Sequence, residues 1–218
     1  MIKAVIFDLD GTTIDTVKSI AYYVNETLKK FGYGEIEVEK FNILAGNGPK
    51  NLIHRSLECV GADKDIFDEF FKSYVDSYNS NVFHLSEPFE GIVKLLEDLK
   101  AKGIKTAIVS NKQDKAVKIL SEHFFGDLVD LNVGFKEGIA LKPAPDSLLN
   151  TMKELGVEKD EVLFVGDTDV DMITAKNAGV KSIGVLWGFR GEEELRTNGA
   201  DYIVSNAKEI FDLTQINE

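Results

Sequence analysis

The chain predicts an α/β protein with a doubly wound, Rossmann-like parallel sheet as its core and a helical bundle inserted after the first strand. Three observations predict it. Short apolar runs rich in β-branched residues alternate with helix-period segments beyond residue 84, the pattern of repeated βαβ units. Residues 16–84 break that alternation with helical periodicity over a length that one crossover helix does not need. Several of the apolar runs end in polar residues that a strand interior would not choose.

The elements follow in order. Ala4-Val-Ile-Phe7 has the length and composition of a strand buried on both faces. Helical spacing then recurs at Val17, Ile20, Ala21, Val24 and Leu28, and again at Leu52, Ile53, Leu57 and Val60. An aromatic stripe at Phe67, Phe70, Phe71, Tyr74 and Tyr78 reads as helix–helix core in preference to a cofactor site. Division follows as a core of 1–15 plus 85–218 and a cap of 16–84, with hinges at Asp15-Thr16 and at Ser86–Gly91. Beyond the cap, Thr106–Val109, Val162–Val165 and Ser182–Leu186 read as further buried strands, separated by helical segments such as that carrying Leu148, Leu149, Met152 and Leu155.

Composition narrows the function. The 218 residues are 44% hydrophobic and 28% charged, ordinary globular material that folds without staples. A net charge of −12 argues against nucleic-acid partners, which need a basic face. No apolar run reaches the length of a membrane span, so no membrane association is expected. The acidic break at Asp8 in the opening segment does not fit a signal peptide, and none is expected. Cys59 has no partner in the chain, and a reducing cytoplasm is the expected location. Nothing in the sequence specifies an oligomeric state. A protein this acidic can bind a small anion only where a cation reverses the field locally.

Three strand tips carry the chemistry: Asp8-Leu-Asp10-Gly11-Thr12, Ser110-Asn111-Lys112 and Gly166-Asp167-Thr-Asp169-Val-Asp171. In open α/β sheets ligands bind outside the carboxyl ends of the strands, so these groups meet at one crevice, with Lys142 as a further contributor. Clustered carboxylates stay ionised only around a cation, and an all-oxygen site suits Mg2+. Asp8 and Asp10, two apart on extended chain, point to one side. The first can attack phosphorus and the second can carry protons. Gly11 allows a sharp turn after the pair. Plainer readings exist for each piece. Asp167 or Thr168 could merely cap a helix, and Lys142 could be a surface lysine. An EF-hand is excluded because Met172 and Ala178 stand where that loop needs Gly and Glu. His54, His84 and His123 fit no metal or triad spacing.

Taken together, the motifs resemble those of the haloacid dehalogenase superfamily, in its order and over essentially the whole chain. Asp8–Thr12 resembles its first motif, Ser110 its second, Lys142 in Leu141-Lys-Pro-Ala-Pro-Asp146 its third, and Gly166–Asp171 its fourth. The resemblance implies Asp8 as nucleophile and Mg2+ ligand, and Asp10 as general acid/base that lends its carbonyl to the metal. It further implies Asp167 as a metal carboxylate and Asp171 as the holder of a metal-bound water. Gly11, Thr12, Ser110, Asn111 and Lys142 would bind the phosphoryl group. Asp10 also separates the chain from the dehalogenase branch, which lacks that carboxylate.

Within the superfamily the chain is most similar to the phosphoglycolate phosphatase-like group, on Phe7–Thr12, Leu44–Gly48 and Trp187–Arg190. The expected substrate is a small phosphorylated metabolite, 2-phosphoglycolate foremost, whose carboxylate needs a basic partner; Lys50, Arg55 and Lys112 are the candidates. A β-phosphoglucomutase-like sugar phosphomutase, a pyrophosphatase and a nucleotidase are the same-fold alternatives. A receiver-like phosphoacceptor domain is the alternative of another class, and it has no use for the inserted helices.

Overall fold

The computed structural model describes residues 1–216. The chain opens with strand β1 (Ala4–Phe7), a tight loop and the two-residue strand β2 (Ile14–Asp15). Four helices follow: α1 (Val17–Lys30), α2 (Phe41–Leu44), α3 (Gly48–Cys59) and α4 (Phe67–Ser80). Strand β3 (Glu87–Pro88) then pairs antiparallel with β2, Ile14 opposite Pro88 and Asp15 opposite Glu87. The two chain crossings between helices and sheet are thereby tied to each other.

The remainder alternates as expected. Helix α5 (Ile92–Ala101), strand β4 (Lys105–Gln113), helix α6 (Asp114–Phe125) and strand β5 (Leu131–Phe135) build one side of the sheet. Helix α7 (Asp146–Leu155), strand β6 (Val162–Gly166), helix α8 (Asp169–Ala178), strand β7 (Lys181–Val185), helix α9 (Glu192–Thr197), strand β8 (Tyr202–Val204) and helix α10 (Ala207–Thr214) complete the other. The six long strands order as β5-β4-β1-β6-β7-β8, all parallel. The chain runs outward from β1 in one direction, then returns to β6 and runs outward in the other. The switch point lies beside β1, where a ligand crevice forms in such sheets.

Alternation along β1 divides the core. Val5 and Phe7 join a cluster with Ile92, Leu96 and Leu99 of α5 and Ile210 of α10. Ala4 and Ile6 join the opposite one with Leu148 and Met152 of α7 and Ala175 and Ala178 of α8. Both faces of the strand are covered, which is why it reads as an unbroken apolar run.

In the helical layer, Phe70 of α4 is fully buried, with its ring 5.1 Å from that of Phe31. Burying such a side chain stabilises by roughly 1.5–3 kcal/mol. The aromatic stripe is therefore core over part of its length, as expected, but Tyr74 and Tyr78 at its C-terminal end also border the cavity described below. The histidines pack against rings: His54 on Phe67, His84 on Tyr22, His123 on Phe83. Among the described residues no helix is long and apolar enough to cross a membrane.

Candidate active site

Asp8 follows the last residue of β1 directly, and its backbone N–H donates to Val165 O of β6, which continues the sheet ladder by one step. The loop then folds tightly. Thr13 and Ile14 N–H groups both donate to Leu9 O, and Gly11 N–H donates to Ile14 O. Gly11 has φ +82°, the left-handed region that favours glycine. The loop thus presents the Asp8 and Asp10 carboxylates at the tip of the central strand.

Asp8, Asp167 and Asp171 form a buried cluster in which one carboxylate oxygen from each lies within 4.8 Å of the others. Lys142 Nζ reaches into it, 2.9 Å from Asp8 Oδ1 and 2.7 Å from Asp171 Oδ1. Asp8 Oδ1 nevertheless accepts no hydrogen bond of good geometry. Burial pushes the Asp8 carboxyl up to about 6, against the pull of Lys142 and with Asp171 adding to the rise. Burial also holds Asp167 well above the carboxylate range, reinforced by the charges of Asp171 and Asp8. Burial works against the Lys142 ammonium, yet Asp171 and Asp8 raise it overall. One lysine does not balance three carboxylates. Clustered oxygen donors and two carboxyls destabilised as anions fit a hard divalent cation.

Each carboxylate is held by named partners. Asp167 Oδ1 accepts from Thr12 Oγ1 at 2.8 Å and Oδ2 accepts from Phe189 N–H at 2.7 Å. Asp171 Oδ2 accepts from both the N–H and the hydroxyl of Thr168, closing a capping box at the start of α8. The capping reading of this segment therefore holds for Thr168, while Asp171 both caps and faces Lys142. Asp10 Oδ1 accepts from Thr16 Oγ1 at 2.7 Å and from Lys112 Nζ at 2.8 Å, and Oδ2 lies 3.2 Å from the same Nζ.

Several expected contacts take a different form. Thr12 is fully buried with its hydroxyl given to Asp167, and the Gly11 N–H is used inside the loop, so neither group is presented to a phosphate. Asn111 exchanges two hydrogen bonds with the Lys142 backbone, N–H to Oδ1 at 2.8 Å and Nδ2 to O at 3.0 Å. Its side chain positions the lysine loop. Ser110 borders the cavity as expected. Of the three basic specificity candidates only Lys112 does so. Lys50 is exposed, and Arg55 donates to Ile43 O at 3.1 Å, which spends it on the end of α2.

The cavity in front of Asp8 and Asp10 has a volume of about 70 Å3. Its walls come from the sheet tips, from Tyr74 and Tyr78 of α4, and from the Ala45–Pro49 segment between α2 and α3. Arg190, only 9% exposed at its side chain, reaches from the loop after β7 to that segment. Its guanidinium donates to Ala45 O at 3.1 Å and to Asn42 O. This loop is the part that sequence reasoning left without a role. Trp187 Nε1 donates to Thr12 O at 3.0 Å, and a β-carbon on Gly188 would lie 2.3 Å from Asp167 Cβ. The Trp-Gly-Phe-Arg run after a strand was the available signal. Its contribution rests on backbone and close approach.

Residues 5–185 match the family described as haloacid dehalogenase-like hydrolase. A phosphoglycolate phosphatase from Aquifex aeolicus (strain VF5) is 34% identical over 97% of this chain and 96% of its own length. Pyrophosphatase PpaX from Halalkalibacterium halodurans is 29% identical over 99% of this chain and 98% of its own. Among solved structures, a protein assigned as a phosphoglycolate phosphatase from Lactobacillus delbrueckii subsp. bulgaricus superposes with a TM-score of 0.91 at 31% identity, over 97% and 98% of the two chains. With the switch-point crevice, the carboxylate cluster and the paired lysine in place, the chain belongs to the haloacid dehalogenase-like hydrolases.

Proposed function

We propose that the chain is a cytoplasmic phosphomonoester hydrolase that forms an aspartyl phosphate on Asp8, with 2-phosphoglycolate as its substrate. The observation that carries this is the state of Asp8: a buried carboxylate at a strand tip, open to the cavity, its Oδ1 without a hydrogen bond and 2.9 Å from Lys142 Nζ. A nucleophile for phosphorus needs that place at the cavity wall and that counter-charge.

In the first step Asp8 attacks phosphorus while Asp10 gives a proton to the leaving ester oxygen. In the second, Asp10 takes a proton from water, which attacks the aspartyl phosphate and releases inorganic phosphate. Thr16 fixes the orientation of Asp10 throughout. Ser110 and Lys142 hold the phosphoryl oxygens, and Asn111 holds Lys142 in place. The carboxylates of Asp8 and Asp167 and the Asp10 carbonyl would hold a magnesium ion, with Asp171 holding a water bound to it, and the ion would supply positive charge to the phosphoryl oxygens.

Residues 16–84 act as a cap over the core formed by 1–15 and 85–218, with the β2–β3 pair as its hinge. The small cavity favours a compact leaving group over a nucleoside. The relatives named phosphoglycolate phosphatase support that ester first, and the relative named pyrophosphatase makes pyrophosphate the second reading.

The test is phosphate release from 2-phosphoglycolate by the natural chain and by Asp8→Asn, each with Mg2+ and with chelator. Release that vanishes with Asp8→Asn and with chelator supports the mechanism and the substrate together. Release that survives Asp8→Asn refutes Asp8 as nucleophile. Interconversion of sugar phosphates that requires a bisphosphate activator, with the phosphoryl group returned to sugar and no phosphate released, would instead make the chain a mutase.

A further inference from the structure

The cavity holds a second cationic group that phosphoryl binding does not use. Lys142, paired with Asp8 and Asp171, serves the phosphoryl group. Lys112, at the end of β4, has a side chain only 10% exposed and borders the same cavity. Its Nζ lies between Asp10 of the core and the ring of Tyr78 of α4, 4.6 Å from the ring centroid. A lysine head is rarely buried without a purpose, because its desolvation must be offset by partners.

Tyr78 supplies a second observation, its hydroxyl lying beside Lys112 and Ser19. Its phenol is buried and borders the cavity, yet its hydroxyl makes no hydrogen bond of good geometry. A buried hydroxyl left unpaired costs free energy, so this one can donate to an acceptor brought into the cavity. Lys112 and Tyr78 therefore offer an ammonium and a hydroxyl to one place in the cavity, on the Asp10 side, where a leaving group departs.

We infer that Lys112 and Tyr78 form a subsite for a second anionic group of the substrate, so that the enzyme selects phosphate esters and anhydrides bearing a carboxylate or phosphate next to the cleaved bond. This rests on the phosphatase reading and deepens it. A carboxylate accepts from both the ammonium and the phenol, and its charge-assisted bonds to the ammonium are stronger than those a neutral group accepts. The selectivity falls on the part of the substrate that Asp8 never touches. The two groups come from opposite layers, Lys112 from the sheet and Tyr78 from the helical bundle, so the anion also draws the two layers together over the reacting phosphate.

The experiment compares kcat/KM for three compounds: 2-phosphoglycolate, pyrophosphate and 2-hydroxyethyl phosphate, in which a neutral hydroxymethyl group replaces the carboxylate of 2-phosphoglycolate. The chains compared are the natural one, Lys112→Gln and Tyr78→Phe, each checked for an unchanged melting transition. The natural chain is expected to prefer at least one of the two anionic compounds over the neutral one by at least about tenfold, as for loss of a charge-assisted hydrogen bond. Both substitutions are expected to shrink that ratio. Lys112 also touches Asp10, so a fall in rate alone is not the readout; the ratio is. If Lys112→Gln lowers all three rates equally and Tyr78→Phe leaves the ratio unchanged, Lys112 serves only to orient Asp10 and the subsite is refuted. Equal turnover of all three by the natural chain refutes the subsite and leaves the phosphatase reading standing. No phosphate from any of the three refutes the subsite and removes 2-phosphoglycolate and pyrophosphate as substrates, and sugar phosphates and nucleotides then test the phosphatase reading.

Discussion

A β-carbon placed on Gly11 would stand 2.2 Å from Oδ2 of Asp167. The loop after β1 and the tip of β6 thus meet backbone against carboxylate, with no room between them. Gly11→Ala is expected to fail on two counts, the clash and the left-handed φ of +82°. Strain of this kind costs about 1–3 kcal/mol, and Asp167 must shift to relieve it. The expected result is a lower denaturation midpoint together with loss of the Mg2+-induced rise in melting temperature. A variant that keeps both would show that the approach is slack in solution.

How much of this was legible beforehand depended on where each residue's signal lay. β1 was readable because both faces of Ala4–Phe7 are covered, so every residue had to be apolar. β5 and β8 were missed. They are the sheet's edges, only half covered, and β5 carries Asn132 and Gly134 within its five residues. The strand-tip carboxylates were legible because a run of buried residues ending in Asp is costly without a use. Phe189 was not, because it contributes a backbone N–H that any residue could supply. Arg55 was misplaced for a different reason: a charge in a sequence carries no direction, and this one turns to the carbonyl of Ile43.

Asp10 is expected to separate the two chemical steps. Asp10→Asn retains the bulk and a carbonyl oxygen for Thr16, whose hydroxyl donates to Oδ1 at 2.7 Å. It cannot give or take the proton. With a leaving group that needs no protonation, such as an aryl phosphate, the variant should still phosphorylate Asp8, then stall. Steady-state turnover should fall by roughly 10²–10⁴-fold, the usual worth of a general acid/base. Acid quenching and intact-mass measurement should reveal the trapped phosphoryl adduct. Undiminished turnover of an alkyl phosphate would remove Asp10 from the mechanism.

Stability should depend on pH and cation together. The Asp8 carboxyl is raised to about 6, chiefly by burial, and Asp167 moves in the same direction. A raised carboxyl means that the folded chain binds protons more tightly than the unfolded one. The favourable contribution is full below the unfolded value near 3.8 and is lost as pH rises through about 6. Without a cation, the folded chain above that pH carries buried carboxylates in excess of one lysine. Mg2+ should therefore raise the melting temperature more at about pH 7.5 than at about pH 5, where protons compete for the same oxygens. Thermal scans with Mg2+ and with chelator at both pH values check this, and an equal Mg2+ effect at the two would contradict it.

Arg190 joins the loop after β7 to the segment that roofs the cavity, and its removal should separate binding from chemistry. Its guanidinium donates to Ala45 O at 3.1 Å and to Asn42 O, and it also pairs with Glu194 at 3.1 Å. None of these partners is a reacting group. Arg190→Ala leaves two carbonyls at the end of α2 without their donor, at a cost of about 1–3 kcal/mol if they stay buried. The segment would more readily swing toward water than accept that cost, and the cavity would lose its roof. The expected result is a rise in KM of roughly tenfold or more, since about 1.4 kcal/mol corresponds to each factor of ten. The kcat should change far less, because Asp8, Asp10 and Lys142 keep their own partners. Arg190→Lys should restore little, because one ammonium cannot span both carbonyls as the planar fork does. An equal fall in kcat with KM unchanged would place Arg190 in the organisation of the Asp167 loop, two residues from Gly188, and not in the roof.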